Sequence, residues 1–463
     1  MPRHHPFQPT RRLFGAGLAI SAFSLKNNAL ASQSKKEDKP RPTGDAVWIW
    51  LATPTPSRLK PDSRREAELW FQPGDFSPGV LKITAGEEFC LKLQNRTPKP
   101  LSLHWHGVRG ENAMDGVGGL TQEPILSGED FSYCMTPPDP GTFLIRPCII
   151  GGSAEPAERG LTGLLIVEEK VPPHADRDIA LLIDDWKLAD DGTLAAFEPA
   201  AEASVSGRLG NLLTVNRQTV PLKIEAAPGS RIRLRLANAC NARTMRLRFD
   251  QLKPYVIAID GQPTDTFEPL RASLPFPPGT RYDVMLDLPT EAGATGSVIA
   301  QIGDGMALVQ FTTVGEKRSE LPPLTPLPEN KNLPTEIKLQ NAIRKDVTIE
   351  AREAGTSARW TINGKAGTVG MPPLAKVRRG APVVLTLTNN TPLTQPFHLH
   401  GHVFRLLHAL DDGWEPYWLD TVQVPENRTI RIAFIADNPG KWLLASTVME
   451  RFDAGLWTWI EVG

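Results

Sequence analysis

Apolar and polar residues alternate over short runs along the chain, as at Phe89, Leu91 and Leu93, at Ile232, Leu234 and Leu236, and at Val383, Leu385 and Leu387. Successive side chains of a strand point to opposite faces, so each run predicts a half-buried β-strand. Gly, Pro or Asn bounds the runs, which is how the strands of sandwiches are punctuated, and no long helical period is evident. The three runs sit in a weak repeat that opens on Gly and closes on Asn, from Gly86 to Asn95, Gly229 to Asn238 and Gly380 to Asn389. The repeat predicts an all-β protein in which one sandwich unit is copied three times. Pro322 to Pro334 carries five prolines, which neither donate to a sheet nor continue a helix, and predicts a linker over 317–335. A second break at Val171-Pro172-Pro173 gives expected domains at 42–171, 175–316 and 336–463.

Composition agrees with that division. At 463 residues the chain has room for roughly three domains, each able to bury a core. Lys plus Arg is 51 against 52 Asp plus Glu, so no basic field is available to hold nucleic acid or an anionic membrane. No apolar run is long enough to predict a transmembrane segment in the mature chain. The amino terminus carries an address: Thr10-Arg11-Arg12-Leu13-Phe14, an uncharged stretch from Leu13 to Leu25, then Ala29-Leu30-Ala31. It resembles a twin-arginine export signal with a small-x-small cleavage site. Residues 1–31, with His4 and His5, are expected to be removed, and a folded chain beginning near Ser32 is expected in a bacterial periplasm.

The candidate chemistry lies in two matching strings, Leu103-His104-Trp105-His106-Gly107 and Phe397-His398-Leu399-His400-Gly401-His402. On a strand, residues two apart face the same way about 6.5 to 7 Å apart, so each string aims two imidazoles at neighbouring points. That geometry suits a metal cluster shared between two strands. One such string alone is equally well a hydrogen-bonded core pair; two, in the first and last of three copied units, favour the metal.

From about Val80 to the carboxyl terminus the chain resembles the three-domain multicopper oxidases, a laccase-like family. The resemblance rests on the two strings and on Met114-Asp115-Gly116, Pro124-Ile125, Gly141-Thr142-Phe143 and Gly160-Leu161-Thr162-Gly163-Leu164. Arg233-Leu234-Arg235-Leu236-Ala237-Asn238-Ala239 and Asp260-Gly261-Gln262-Pro263 extend it through the middle. Thr361-Ile362-Asn363-Gly364, Asp420-Thr421-Val422 and Asn438-Pro439-Gly440-Lys441-Trp442 complete it. The implied fold is three consecutive cupredoxin-like Greek-key β-sandwiches. The implied cofactors are a blue type 1 copper and a three-copper cluster, held where four motifs converge between the first and last domains.

The sequence departs from most of those motifs. Arg146-Pro147-Cys148 stands where the second motif ends in His-x-His, and Gln395 stands at the type 1 histidine of the third. In the fourth, Ala445, Ser446, Thr447, Arg451 and Leu456 occupy the places of His-Cys-His, a further His and the axial Met. A blue centre needs a thiolate and two imidazoles in trigonal array, so no type 1 copper and no laccase turnover are expected. By the same resemblance His104 and His398 match the type 2 pair, and His106 and His400 match one ligand each of the two type 3 ions. Cys148 replaces a type 3 histidine beside His400 and offers a soft thiolate, whereas Arg146 puts a permanent cation near His106. If the guanidinium has taken the metal's place, it should hydrogen-bond to His106 or Glu450.

Asp115 and Glu450 match carboxylates associated with proton delivery. The plainer reading makes Asp115 a turn residue with Gly116, and pairs Glu450 with Arg146 or Arg451. His402 and His408 read as core or surface residues on the strand after the third motif, His174 as a linker residue, and Asp184-Asp185 before Trp186 as an exposed strand end. Cys90 and Cys134 are one residue out of the apolar phase and should point outwards. The resemblance makes their strands neighbours, which permits a disulfide in an oxidising compartment. Cys240 reads as a small buried residue, leaving Cys148 free near the histidines. Three functions remain open: a periplasmic protein binding copper or another transition metal, a metal-free scaffold with an envelope protein partner, and an oxidoreductase with a single type 2-like copper.

Overall fold

Each repeat unit forms a strand at the heart of one sheet. In the computed structural model, which describes residues 47–71, 79–319, 321–411 and 413–463, the repeats become the strands Phe89–Asn95, Arg231–Asn238 and Ala381–Asn389. The export signature lies outside the described residues. All three strands pair in parallel with an earlier strand, respectively Val47–Ala52, Arg177–Trp186 and Ile343–Ala354. All three also close on a buried asparagine with one job. The amide of Asn95 donates to the carbonyls of Lys99 and Ile125, that of Asn238 to Arg243 and Phe276, and that of Asn389 to Leu393 and Val424. The side-chain oxygen accepts from the backbone N–H two residues on, at Thr97, Cys240 and Thr391. The repeat asparagine is thus a buried clamp on the loop that follows it, satisfying backbone carbonyls that water cannot reach.

The architecture is all-β, in three cupredoxin-like sandwiches. The first sets the sheet of Val47–Ala52, Phe89–Asn95 and Asp130–Met135 against a four-stranded sheet of Val80–Thr84, Gly163–Glu168, Gly141–Pro147 and Leu103–His106. The middle one has sheets of seven and five strands, the last two sheets of five. Among the described residues only three short α-helices occur, Ala154–Glu158, Ala200–Ala203 and Met449–Asp453. None is long and apolar enough to cross a membrane. The proline-rich stretch 321–330 carries neither helix nor strand, as its composition requires.

One apolar core fills the first sandwich around Trp50, Trp105 and Phe143, and a continuous one runs through the other two. A separate cluster of Val117, Leu443, Phe452 and Trp457 joins the first sandwich to the last. Each such fully buried side chain contributes about 1.5–3 kcal/mol, so this cluster holds the faces that carry the two histidine strings together. Cys90 and Cys134 sit directly opposite one another and form a disulfide. Cys90 does not point to solvent: it is buried, because the neighbouring strand Val47–Ala52 and the bonded Cys134 cover it. The expected exposed end at Asp184-Asp185 is also corrected. Their strand lies inside the seven-stranded sheet and both carboxylates are buried, Asp185 accepting from the Gly210 N–H and Arg243, and Asp184 from the Thr162 hydroxyl of the first sandwich.

Candidate metal centre

His104 and His106 lie on Leu103–His106, His398 on the strand Gln395–Leu399, and His400 in the turn that follows it. The two strings meet. His104 stacks on His400 with ring centroids 3.7 Å apart, and His106 stacks on His398 at 3.6 Å. All four rings are buried.

What each ring can bind is set by the partner of its other nitrogen. His104 Nδ1 lies 2.9 Å from the carbonyl oxygen of Asp115, and His398 Nδ1 lies 2.9 Å from that of Asp420. A carbonyl only accepts, so both Nδ1 atoms carry the proton and both Nε2 atoms present lone pairs. Those two Nε2 atoms face each other at 3.4 Å. Two metal–nitrogen bonds of about 2.0–2.1 Å span about 3.3 to 4.1 Å between tetrahedral and linear angles, so the pair fits one transition ion. His400 completes a group of three ligand atoms lying within 4.8 Å of one another. Its Nδ1 donates to the Asp115 carboxylate at 3.1 Å, the carboxylate–histidine arrangement that orients metal ligands.

Asp115 is held by the turn after the short 3-10 segment Asn112–Met114. Gly116 follows it at φ +78°, and a Cβ there would lie 1.7 Å from the Leu103 carbonyl oxygen. Only glycine lets that turn pack against the His104 strand. Burial alone would raise the Asp115 pKa, but His400 and His104 beside it outweigh that and hold the carboxyl below the usual range. Burial lowers the pKa of His106, His398 and His400, the last to about 3, so these rings stay neutral.

His106 does not join the first group. Its Nε2 bonds to the Thr421 hydroxyl at 2.8 Å and lies 3.5 Å from an Asp420 oxygen, in a second group with His398 and Asp420. Gly279 of the middle sandwich, at φ +88°, leaves the room for this ring, since a Cβ would come within 2.7 Å of it. Cys148 is free and buried and lines the same cavity of about 30 Å³ as the four histidines and Arg146, but belongs to neither group of ligand atoms. A cavity of this size takes one or two waters.

Arg146 sits directly across the strand pair from His104. It hydrogen-bonds neither to His106 nor to Glu450; its one bond is a long 3.5 Å contact from Nη2 to the Thr447 carbonyl. Glu450, on the last short helix, pairs with neither Arg146 nor Arg451 but accepts a bond from the Asn241 amide at 2.8 Å. It lines a different pocket, with Lys99, Arg208 and Asp453. His402 is buried and His408 exposed, and the two flank the strand Arg405–Leu407 instead of lying on it. Sequence reasoning missed Asp420, Thr421 and Arg281 as site residues. The Arg281 guanidinium bonds the Asp420 carboxylate through both terminal nitrogens and keeps it ionised against the cost of burial. The only signal was the Asp420-Thr421-Val422 match.

The remaining motif positions are filled by protein. Arg451 Nη1 donates to Gln395 Oε1 at 3.0 Å, and its guanidinium lies 4.8 Å from the Trp360 ring centre. Ser446 accepts from the Val448 N–H, and Leu456 is fully buried in the apolar core.

Comparison with known proteins places this geometry. The chain is 27% identical to multicopper oxidase MmcO of Mycobacterium tuberculosis, over 93% of its own length and 91% of that protein. It is 23% identical to the cell division protein FtsP of Xenorhabdus nematophila, over 96% and 97% of the two chains. The crystal structure of a multi-copper oxidase from Pseudomonas thermotolerans superposes with a TM-score of 0.80 at 29% identity, covering 90% of this chain and 99% of that one. Residues 54–172, 179–296 and 329–463 each match a family profile described as multicopper oxidase. With three such matches in sequence across one chain, and a histidine cluster where the first and last sandwiches meet, this chain belongs to the multicopper oxidase family.

Proposed function

We propose that the protein is an exported, periplasmic member of the family that binds one copper ion, or another transition metal, through His104, His398 and His400, and that it does not act as a laccase. The observation that carries this is the pair of Nε2 lone pairs facing each other at 3.4 Å, an arrangement that calls for a cation between them. Asp115 orients His400 and His104, Asp420 orients His398, and His106 and Cys148 form the wall beside the ion. Bound copper would supply a Lewis acid and a one-electron redox centre. The Arg451–Gln395 pair packed on Trp360 supports the absence of a blue copper, because a guanidinium and an amide fill the volume its ligands would need. The cavity admits molecules of only two or three atoms, which bounds what a single type 2-like copper could act on.

Copper measured by atomic emission on the purified mature chain tests the reading. About one ion per chain is expected in the wild type, without intense blue absorption, and close to none when His104 and His398 are both replaced by Ala. Equal copper in the two proteins overturns it and favours the second reading, a metal-free envelope scaffold. That second reading is supported by the full-length similarity to a cell division protein. Strong blue colour would refute the assignment of Gln395, Ser446, Arg451 and Leu456.

A further inference from the structure

Arg146 is a buried charge with little of its hydrogen-bonding capacity met among the described residues. It is 3% exposed, its Nε has no hydrogen-bond partner among the described residues, and its one hydrogen bond is the 3.5 Å approach to the Thr447 carbonyl. Among the described residues no carboxylate forms an ion pair with it. By contrast, Arg233 and Arg235 share Asp283, and Arg281 is clasped by Asp420. Burial draws the Arg146 pKa down only to about 10, so the group stays charged. An ion buried without a partner costs several kcal/mol, and proteins meet that cost with a counter-ion. Arg146 lines a cavity of about 30 Å³ whose other walls include the four imidazoles, Cys148, Thr447, Met449 and Phe452, with room for a particle the size of one or two waters.

We propose that this cavity is a binding site for one small monovalent inorganic anion, of halide or triatomic oxyanion size, held by Arg146 independently of any metal. The unpartnered Nε edge of a guanidinium is a planar fork that meets a halide at one point or an oxyanion at two. Because Arg146 faces His104 across the strand pair, the anion sits beside the histidine cluster without using its ligand atoms. The inference does not depend on the metal reading.

The test uses metal-stripped mature protein in a gluconate buffer, gluconate being too large for the cavity. Sodium bromide or sodium nitrite should raise the thermal midpoint in a saturating way, by on the order of 3 °C at a hundredfold excess over Kd. The increase should vanish in Arg146→Gln and persist in the His104→Ala/His398→Ala variant. Sulfate, larger than the cavity, should give no saturating increase in any of the three. Bromide-soaked crystals of the wild type should show an anomalous peak against the Arg146 guanidinium, a readout that needs no variant to fold. No peak there, or an equal midpoint shift in Arg146→Gln, overturns the proposal. Bromide bound at Arg146 in protein that takes up no copper would uphold it while removing the metal reading.

Discussion

At the scale of single residues, the chemistry turns on which nitrogen of each imidazole is free. The His-x-His strings made His104 and His398 legible as candidates, because a two-residue period fixes their common face. The tautomers were not legible, because the carbonyls of Asp115 and Asp420 that set them lie 11 and 22 residues away in sequence. Asp184 was misread for a similar reason: its strand end reads as polar and exposed until the first sandwich, through Thr162, packs over it. Burial and the neighbouring Asp185 push its pKa up to about 7, well above an unfolded aspartate near 3.9. Between those values the folded protein holds a proton that the unfolded chain has lost, so stability falls as pH rises from about 4 to about 7 and is flat above. Asp184→Asn keeps an acceptor for the Asp185 N–H and removes the ionisation. Relative to wild type, the variant should gain stability at pH 8 over its value at pH 5, read from urea midpoints at both pH values. A difference independent of pH would show that Asp184 ionises freely in the folded state.

Among the elements, the strand repeat was the feature most legible in sequence, since its alternation and its closing asparagine survive in all three copies. Its purpose was not legible, because a clamp is defined by the loop carbonyls it reaches. Asn389 shows this best: its amide reaches the carbonyls of Leu393, Val424 and Pro425, and its oxygen accepts from Thr391 N–H and hydroxyl. Val424 ends the strand that pairs with Gln395–Leu399, so the clamp braces the strand carrying His398. Asn389→Ala leaves several buried polar groups unpaired at about 1–3 kcal/mol each, and a total loss of about 3 kcal/mol is expected by chemical denaturation. Asn389→Asp keeps the acceptor and loses the donors, so it should be at least as damaging. A variant within 0.5 kcal/mol of wild type, the ordinary effect of a surface change, would mean that water takes over the clamp.

Across the whole molecule, the three sandwiches are locked by buried ions that no local pattern announces. Arg231, Arg233 and Arg235 alternate along the repeat strand of the middle sandwich, and in the fold Arg233 and Arg235 converge on Asp283, which also binds Thr142 of the first sandwich. Arg281 is the tighter lock. From the middle sandwich it donates to the Thr142 carbonyl of the first at 3.2 Å and to Asp420 of the last at 2.9 Å, with Asp260 3.5 Å away and its own side chain fully buried. Burial and Asp420 push the Asp260 pKa up to about 7, so Asp260 can take up a proton when the guanidinium is removed, whereas the buried Asp420 carboxylate would be left without its counter-charge. Arg281→Met should therefore cost about 3–5 kcal/mol, the range for breaking a buried pair from one side. Because Asp420 also supplies the carbonyl that fixes the His398 tautomer, copper uptake should fall with stability. Arg281→Met/Asp420→Asn removes the stranded charge and keeps that backbone carbonyl, so it should recover most of both. Recovery of stability without recovery of copper would separate the two roles and place the Asp420 carboxylate, instead of its carbonyl, in control of His398. Full copper uptake by Arg281→Met would show that the sandwich interface and the histidine cluster are held independently.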